Sequence, residues 1–429
     1  MFGAYGQRFF STARPSIMNI SIFRIACCIL ISLSLFSSIS SGRNSAVSVV
    51  YMVGGDNDRV YQLRQGSTGQ IALMKPQFVK TGPGLVAATM PPSSNFFYAE
   101  NGFDNTMSEY AIGANGFLKP LRPPTVPMSI ADALAVSPSS QFLYGIDNQA
   151  ARITVFRIQA NGQLRRLPFQ IATDKFPFNM AFDSTGRFAY VICGDGGDPQ
   201  SGDCLIDQFR VHADGSLTPL SPFSIQNNGK WGAQIFGSSK SPYIYIPSDA
   251  GITEYKVSTT GQLVEQMYTA PSEAQAQVYG VFDDARRLIV ATGRADDHPN
   301  AAPNEFVVTS VGAGGSLNIT SGYAVDDAGK LNALTPDLSD GAPLHPAPGK
   351  LPDAALFSIT FDPAKQVLYA IDAQSFRIFR YSINADGTLT ELLPSAKTNH
   401  PPQRPDHDGI FYPYAYQNAT DTCIFFVTK

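Results

Sequence analysis

The chain contains few of the residues that usually carry catalysis or bind metals. Its 429 residues include only 5 His, 5 Cys and 1 Trp, and charged residues make up 15% of it. The HExxH, CxxC, GxSxG and phosphate-loop patterns are all missing, so none of the zinc, redox, serine-hydrolase or nucleotide sites that they mark is indicated. A net charge of −4 without a basic stripe argues against a nucleic-acid partner.

Apolar residues alternate along the chain and form no long helical stripe, which favours strands over helices. Residues 131–167 and 354–393 share one order: an apolar strand, a turn, a Phe-Leu-Tyr or Val-Leu-Tyr strand, a polar loop, a third strand and Asx-Gly-x-Leu. Four short strands in a period of about 46 residues are typical of a β-propeller blade. The second-strand marker falls at Tyr51, Tyr98, Tyr144, Tyr190, Tyr245, Val290 and Tyr369.

The number of blades follows from the turns between third and fourth strands, which contain Gly69, Gly116, Gly162, Gly215, Gly261, Gly329 and Gly387. We therefore predict an all-β, seven-bladed propeller with four-stranded antiparallel blades. The N-terminal copy has no first strand, and the C-terminus has strand-like IFYPYAYQ and CIFFVTK. Pairing the two ends in one blade closes the ring and protects the strand edges. One strand is then left over, either residues 423–428 or residues 47–53.

The interval after Val290 is longer than the others and predicts an insertion near residues 295–320, between the second and third strands of the sixth blade. A hairpin is expected within it, at residues 305–318. A surface insertion of this kind is well tolerated, because loops of a repeat protein lie outside its packed core.

The N-terminal residues have the layout of a secretory signal peptide. Arg24 precedes an apolar run over residues 25–36, and small residues follow; the run is short for a membrane span. We expect residues 1–42 to be the signal peptide, with Met18 as an alternative start, and an uncleaved anchor as the alternative interpretation. Residues 43–429 would then form one propeller domain without a membrane span, secreted, periplasmic or at the cell surface, and monomeric.

Export would leave three cysteines, Cys193, Cys204 and Cys423. Cys193 ends a second strand and Cys204 begins the next third strand, so the two flank one hairpin loop. In an oxidising compartment this predicts a disulfide between them, with two separate half-buried thiols as the alternative. Cys423 is expected to stay free.

The face that surrounds the channel mouth is the expected binding surface. When the first strand is innermost, the loops from fourth to first strands and from second to third strands share that face. Polar residues begin the first strands, and we predict that they bind a small molecule, a carbohydrate or a protein; these are Asp132, Asn179, Gln234, Gln277 and Asp353. Acids also follow most second strands, at Asp56, Glu100, Asp147, Asp195, Asp249, Asp296 and Asp372. The alternative is that such acids accept hydrogen bonds from loop N–H groups.

No cofactor is firmly indicated. Ca²⁺ prefers several hard oxygen ligands, and the loop between the two cysteines offers Asp195, Asp198 and Asp203; because the EF-hand spacing is missing, an ordinary acidic loop is the alternative. The candidates for catalysis are His407 and Asp408, which precede the last first-strand segment, and Arg294. A solvated loop is the alternative interpretation of the histidine cluster.

The stretch SPSSQFLYGIDNQAARITVFRIQANGQLRRL resembles the seven-bladed lactonase-like propellers, the group around bacterial 6-phosphogluconolactonase, and the related YVTN surface repeats. The resemblance extends over nearly all of residues 47–429. It implies the propeller fold and a lactone-hydrolysing or cycloisomerising site at the channel mouth, formed by His, Glu and Arg residues.

In those enzymes the site residues lie in a Pro-His-x-His before a first strand and in Asn-Glu-Leu and Asn-Arg-Gly-His after second strands. The comparable positions here read Pro177-Phe178-Asn179-Met180, Ala291-Thr292-Gly293-Arg294 and Ile371-Asp372-Ala373-Gln374. No catalytic residue carries over, so we expect a ligand- or partner-binding protein without the family's motif, and the sequence leaves open whether it is an enzyme. The alternative is a lactone hydrolase or cycloisomerase that acts on a sugar lactone with a rearranged site.

Overall fold

The structure, a computed structural model, describes residues 48–53, 58–67, 71–93, 95–129, 131, 133–194, 204–227, 234–248, 251–269, 280–283, 288–293, 305–311, 317–325, 331–333, 356–372, 377–392 and 423–428. Every regular element within these ranges is a β-strand, and the strands pair only antiparallel. β-branched and aromatic residues fill these strands because they pack well on a pleated, half-buried surface.

The strands form seven sheets, each of which is one blade. Blade 1 has β1 (Ser48–Val53), β2 (Arg59–Gln65), β3 (Ile71–Lys80) and β29 (Cys423–Thr428), and blade 2 has β4 (Leu85–Thr89), β5 (Phe96–Asn101), β6 (Thr106–Ile112) and β7 (Leu118–Pro127). Blade 3 has β8 (Ala133–Val136), β9 (Phe142–Asp147), β10 (Arg152–Ile158) and β11 (Leu164–Ala172), and blade 4 has β12 (Pro177–Phe182), β13 (Phe188–Cys193), β14 (Leu205–Val211) and β15 (Leu217–Gln226). Blade 5 has β16 (Phe236–Gly237), β17 (Tyr243–Ser248), β18 (Gly251–Val257) and β19 (Leu263–Thr269). Blade 6 has β20 (Gly280–Asp283), β21 (Leu288–Gly293), β22 (Glu305–Val311), β23 (Leu317–Val325) and β24 (Leu331–Ala333), and blade 7 has β25 (Leu356–Asp362), β26 (Val367–Asp372), β27 (Arg377–Ile383) and β28 (Leu389–Glu391).

Blade 1 closes the ring with strands from both ends of the chain, as the sequence predicts. β29 pairs with β1 from Ser48↔Thr428 to Val53↔Cys423, and the sheet order is β29-β1-β2-β3. β29 is therefore the first strand of this blade and β1 the second, so neither of the two segments expected as the left-over strand is left over. The segment IFYPYAYQ lies outside the described residues.

The first strand of each blade is innermost. β4 contacts β8, β8 contacts β12, β12 contacts β16, β20 contacts β25, and β25 contacts β29. The loops before the first strands and after the second strands therefore share one face. We call it the mouth face, and in blade 2 it carries residues 81–84 and 102–105.

Blade 6 has five strands rather than four. The hairpin expected at residues 305–318 is present as β22 and β23, and β22 pairs directly with β21, from Leu288↔Ser310 to Gly293↔Glu305. These two strands are thus the third and fourth strands of the blade, not a hairpin that projects from it. The extra element is β24, which pairs with β23, and Gly329 precedes this fifth strand.

Apolar side chains pack between neighbouring blades, because each strand sends alternate residues to opposite faces of its sheet. In blade 4, Val191 and Phe209 join a buried cluster with Tyr144 of blade 3. Their neighbours Ile192 and Ile206 join another cluster with Tyr255 of blade 5. The core is therefore a series of layers between blades, and each blade needs both neighbours to bury its two faces.

Hydrogen bonds between blades repeat around the ring. The second-strand tyrosines donate from their hydroxyls to glycine carbonyl oxygens in the next blade: Tyr51 to Gly116 at 2.6 Å, Tyr98 to Gly162 at 2.6 Å, Tyr144 to Gly215 at 3.1 Å and Tyr190 to Gly261 at 2.7 Å. Third-strand side chains accept from fourth-strand backbone N–H groups of the next blade: Gln62 from Leu118, Glu109 from Leu164 and Gln208 from Leu263. The repeat in the sequence is thus a repeat of contacts between blades.

Candidate functional site

Two of the five predicted ligand-binding residues, Asn179 and Gln234, lie in the described part of the chain. Both are near the start of a first strand and are only 5% exposed. Gln234 Oε1 accepts a hydrogen bond of 2.5 Å from the backbone N of Gly280, which begins β20 in the next blade. This amide therefore links two neighbouring innermost strands, and a role of Asn179 and Gln234 in ligand binding stays a prediction.

The other predicted site residues lie outside the described residues: Asp132, Gln277, Asp353, Asp195, Asp198, Asp203, Arg294, His407 and Asp408. Within the described residues, no group of three or more His, Cys, Asp or Glu side chains is placed to hold a metal ion. The described part of the chain also has no helix long and apolar enough to cross a membrane.

Two of the acids that follow second strands have structural partners. Glu100, 1% exposed, accepts a hydrogen bond of 2.5 Å at Oε1 from the backbone N of Ala131, just before β8. Asp147 accepts a 2.8 Å bond from Ala150 N and lies 3.3 Å from the Arg152 guanidinium. Both contacts agree with the alternative interpretation of these acids, in which their carboxylates accept hydrogen bonds from loop N–H groups.

A buried cluster of polar groups joins blade 4 to the loop that precedes it. Asp207 Oδ2 accepts hydrogen bonds from Asp174 N at 2.7 Å and from the Cys193 thiol at 3.3 Å. Ser224 Oγ donates to Asp174 Oδ2 at 2.6 Å. Burial, and less strongly the nearby Asp174 carboxylate, raises the pKa of Asp207 to about 7. Asp207 has 0% exposure, so it acts within the protein and not on a ligand in solvent.

The predicted disulfide between Cys193 and Cys204 is wrong, because the structure has no disulfide between them and both thiols are buried. Cys193 lies opposite Leu205 in the β13–β14 ladder, so Cys204, one residue earlier, points to the other face of the sheet. Cys193 accordingly packs in the layer toward blade 3 and Cys204 in the layer toward blade 5. The hairpin brings the two backbones together and separates the two sulfurs.

The Cys193 thiol is unsuited to nucleophilic chemistry. Burial, and then the Asp207 charge, raises the pKa of this thiol well above its usual value. The thiolate is the reactive form, and a thiol that is 1% exposed and donates to a carboxylate stays protonated. We assign Cys193 and Asp207 to the packing of blade 4.

The stretch comparable to the family's Pro-His-x-His has apolar side chains in the core. Phe178 is 1% exposed and packs in the layer between blades 4 and 5, with Ile192 and Tyr255. Met180 is 7% exposed and packs in the opposite layer, with Tyr144 and Val191. Phe and Met provide neither a base nor a hydrogen-bond donor, so this strand start cannot carry the proton transfers of a histidine pair.

One exposed residue of the mouth face is absent from the sequence prediction. Phe103, in the turn between β5 and β6, is 78% exposed and lies against Pro83 and Gly84. Its backbone N donates to Pro83 O at 3.2 Å, and Gly102 N donates to Gly84 O at 2.7 Å. An aromatic residue inside the turn sequence Asn101-Gly102-Phe103-Asp104-Asn105 is the signal that could have identified it, because such turns are otherwise polar.

Comparison with known proteins agrees with this fold. Residues 43–199 match the family model described as "Lactonase, 7-bladed beta-propeller". Over 186 residues the chain is 24% identical to the 6-phosphogluconolactonase of Pectobacterium carotovorum and 26% identical to that of Pectobacterium atrosepticum; each match covers 41% of this chain and 53% of the relative. The chain thus spans about half the length of the curated relatives it matches.

The resemblance to solved structures extends further along the chain. The periplasmic gluconolactonase of Pseudomonas aeruginosa superposes with a TM-score of 0.59 at 12% identity, over 80% of this chain and 95% of that one. A 6-phosphogluconolactonase candidate from Bacteroides fragilis has a TM-score of 0.58 at 14% identity, over 83% and 96%. At such identities the likeness establishes the fold alone. The match to the family model confirms the predicted resemblance, and the seven sheets confirm the seven-bladed architecture.

Proposed function

We propose that this lactonase-like seven-bladed β-propeller is an exported binding protein, which holds a small ligand on its mouth face and does not hydrolyse lactones through the family's site. The observation that carries the proposal is the packing of Phe178 and Met180 in the core. Both occupy the positions where the resemblance expects histidines, and neither can transfer a proton. A fold can keep its binding surface when the catalytic groups differ, because function depends on the site and not on the fold.

The mouth face supports ligand binding because polar residues begin its innermost strands. Asn179 and Gln234 contribute to it within the described residues, and Asp132, Gln277 and Asp353 extend the pattern in the sequence. Convergent polar groups above an apolar ring give a ligand both orientation and affinity. A small molecule or a carbohydrate fits this surface, and Ca²⁺ remains a candidate ion for the acidic loop of Asp195, Asp198 and Asp203.

The proposed location is outside the cytoplasm, as a secreted, periplasmic or surface protein. Arg24 and the apolar run of residues 25–36 support it, because they have the order of a signal peptide. The Pseudomonas aeruginosa protein of the same fold is described as periplasmic, which is compatible with this location. The mature N-terminus, measured by mass spectrometry on exported protein, should fall between about residues 38 and 45; a secreted chain that retains residues 25–36 would instead indicate an anchor.

A lactone hydrolase or cycloisomerase with a rearranged site is the second candidate. The names of the curated relatives favour it, since three of them are 6-phosphogluconolactonases. In that case Arg294, His407 and Asp408 are the residues that would supply a base and stabilise the developing oxyanion. The substrate would be a sugar lactone.

A hydrolysis assay and a binding screen together decide between the two. Purified protein is mixed with 6-phosphoglucono-δ-lactone and with glucono-δ-lactone, and acid release is followed in a pH-stat beside the Pectobacterium carotovorum enzyme. We expect the spontaneous rate with this chain and a large acceleration with the control enzyme. In parallel, neutral sugars, sugar acids and Ca²⁺ are screened for a rise in melting temperature, and at least one should produce it. Lactone hydrolysis above the spontaneous rate would favour the second candidate, and a screen without any stabilising ligand would overturn the binding function.

A further inference from the structure

Phe103 differs from the other aromatic side chains in its contact with water. Among the side chains that the structure describes, it is the one large aromatic residue that is exposed, at 78%. A single exposed apolar side chain is common on protein surfaces, so its exposure alone indicates nothing. What matters is how the ring is held and which groups surround it.

The ring lies on a backbone surface that only glycine can form. A Cβ added to Gly84 would lie 2.5 Å from Phe103 Cγ and 2.7 and 2.8 Å from the two Cδ atoms, which places the Gly84 backbone over one face of the ring. Gly84 also has a φ of +71°, in the region that favours glycine. A Cβ on Gly102 would lie 2.4 Å from Val86 Cγ2. With the two backbone hydrogen bonds of this turn, these contacts fix one face of the ring and leave the rest of it to solvent.

Two carboxylates flank the same backbone surface. Asp58 Oδ1 accepts a hydrogen bond of 2.7 Å from Gly84 N. Asp104 Oδ1 accepts one of 2.6 Å from the Thr106 hydroxyl, and its Oδ2 lies 3.0 Å from the position of a Cβ on Gly82. Both side chains are thus anchored through one oxygen, beside a ring that is already in place. Such preorganisation reduces the entropy lost when a ligand binds.

We propose that Phe103 is a stacking platform for a neutral sugar ring, and that Asp58 and Asp104 accept hydrogen bonds from the hydroxyls of that sugar. The proposal rests on the proposed function, because it names the ligand class and a binding residue of the mouth face. The ring covers the apolar C–H face of a sugar while the carboxylates bind its polar edge, so both kinds of surface on a sugar are matched.

The surroundings of Phe103 favour a sugar over a protein partner and a neutral sugar over an anionic one. Protein interfaces bury about 800 Å² on each partner around several apolar anchors, whereas this surface offers one aromatic ring, and carboxylates contact the adjoining backbone. Two carboxylates beside the ring also repel a phosphate or a carboxylate on the ligand. A phosphorylated sugar should therefore bind more weakly than its neutral counterpart.

The test compares three sugars on four proteins. Methyl β-D-glucoside, cellobiose and glucose 6-phosphate are titrated by saturation-transfer NMR into the wild type, Phe103→Ala, Phe103→Trp and the control Val264→Ala. Val264 is the other large apolar residue that is exposed among the described side chains, at 50%. We expect the neutral sugars to receive saturation mainly at their C–H protons. Phe103→Ala should weaken this binding at least tenfold, Phe103→Trp should retain it, and Val264→Ala should match the wild type. Melting temperatures of all four proteins identify any variant that fails to fold.

The possible failures are distinguishable. Neutral sugars that bind Phe103→Ala as tightly as the wild type would overturn the platform and leave the binding function intact. A wild type that prefers glucose 6-phosphate, or that is stabilised in the ligand screen only by compounds other than sugars, would overturn the neutral-sugar class. A wild type that responds to no ligand would overturn the proposed function itself, and this inference with it.

Discussion

The hydroxyl of Tyr98 in blade 2 donates a hydrogen bond to the carbonyl oxygen of Gly162 in blade 3, across 2.6 Å of buried interface. Tyr98 has 0% exposure, and burial raises its pKa well above the usual value, so the hydroxyl remains a donor at any pH at which the protein folds. Gly162 has a φ of +87°, in the region that favours glycine, and its carbonyl oxygen faces the neighbouring blade, where it accepts this bond. This contact explains why a tyrosine and an Asx-Gly turn recur together in the sequence.

We predict that Tyr98→Phe destabilises the protein by about 1–3 kcal/mol, the usual cost of leaving a buried hydrogen-bonding group without its partner. The substitution keeps the ring and removes only the hydroxyl that Gly162 O accepts. Urea denaturation measures the loss. The control is Tyr61→Phe, which removes a hydroxyl that interacts with Arg59 of the same strand and should cost less. Equal losses of unfolding free energy in the two variants would show that the hydrogen bond between blades stabilises the protein no more than the Tyr61 hydroxyl does.

We predict that Gly162→Ala is much more destabilising than Gly186→Ala. Both glycines have a positive φ, +87° and +65°, so both substitutions strain the backbone by about 1–2 kcal/mol. A Cβ at Gly162 would also lie 2.2 Å from the Phe96 ring, whereas at Gly186 the nearest atom is 3.5 Å away in Pro138. The difference in melting temperature between the two variants therefore reports the destabilisation caused by the close approach of Phe96 to Gly162. Similar melting temperatures of the two variants would contradict this prediction.

Glu109 is predicted to make stability fall as pH rises. Its side chain is 1% exposed, and burial raises its pKa from 4.5 to about 7 despite the hydrogen bond from Leu164 N, which lowers it. The folded state therefore binds this proton more tightly than the unfolded chain does. The resulting stabilisation is fully present below pH 4.5 and is lost as pH rises through 7.

The Glu109→Gln variant should be more stable than the wild type at pH 8, by roughly 3 kcal/mol at most, and should approach it at pH 5. Glutamine occupies the same position in two other blades, as Gln62 and Gln208. Each accepts a hydrogen bond from a backbone N–H of the next blade, as Glu109 does. Each also donates through Nε2 to a carbonyl oxygen, that of Pro76 and that of Pro222 respectively. The pKa of Asp207 is also about 7, so its contribution to the pH dependence of stability is the same in the wild type and in Glu109→Gln. The difference in stability between the two proteins therefore reports on Glu109 alone. The reverse variant, Gln62→Glu, should acquire a new loss of stability at high pH. If the stability of the wild type and that of Glu109→Gln change with pH in parallel, Glu109 is ionised in the folded protein and the prediction is wrong.

The two cysteines of blade 4 should behave as buried thiols. In native protein neither Cys193 nor Cys204, each 1% exposed, should react quickly with iodoacetamide. In denaturant without a reducing agent both should be alkylated, because no disulfide joins them. Mass spectrometry of the digested protein gives the answer. A disulfide-linked peptide that contains both residues would show that the disulfide predicted from the sequence forms.

The sequence by itself determined the architecture. The spacing of tyrosine markers such as Tyr98 and Tyr144 predicted the blades, and the incomplete repeats at the two ends predicted that one blade uses both termini. These features are readable because a repeat protein forms the same local contacts many times, so the pattern of one blade predicts its neighbour. The assignment of β29 as the innermost strand of blade 1 needed the structure, because both terminal segments are equally apolar.

Only the tertiary structure decided which side chains meet. Cys193 and Cys204 are close along the chain, and strand alternation separates them, because pairing Cys193 with Leu205 sends Cys204 to the opposite face. In the sequence, Phe103 is recognisable only as an apolar residue in a turn. Its exposure depends on the backbone of Gly84, which lies beneath its ring in the structure. Alternation and turn chemistry are local and therefore visible in the sequence. Burial, ring stacking and the pKa of a buried acid depend on residues that the fold brings together from elsewhere in the chain.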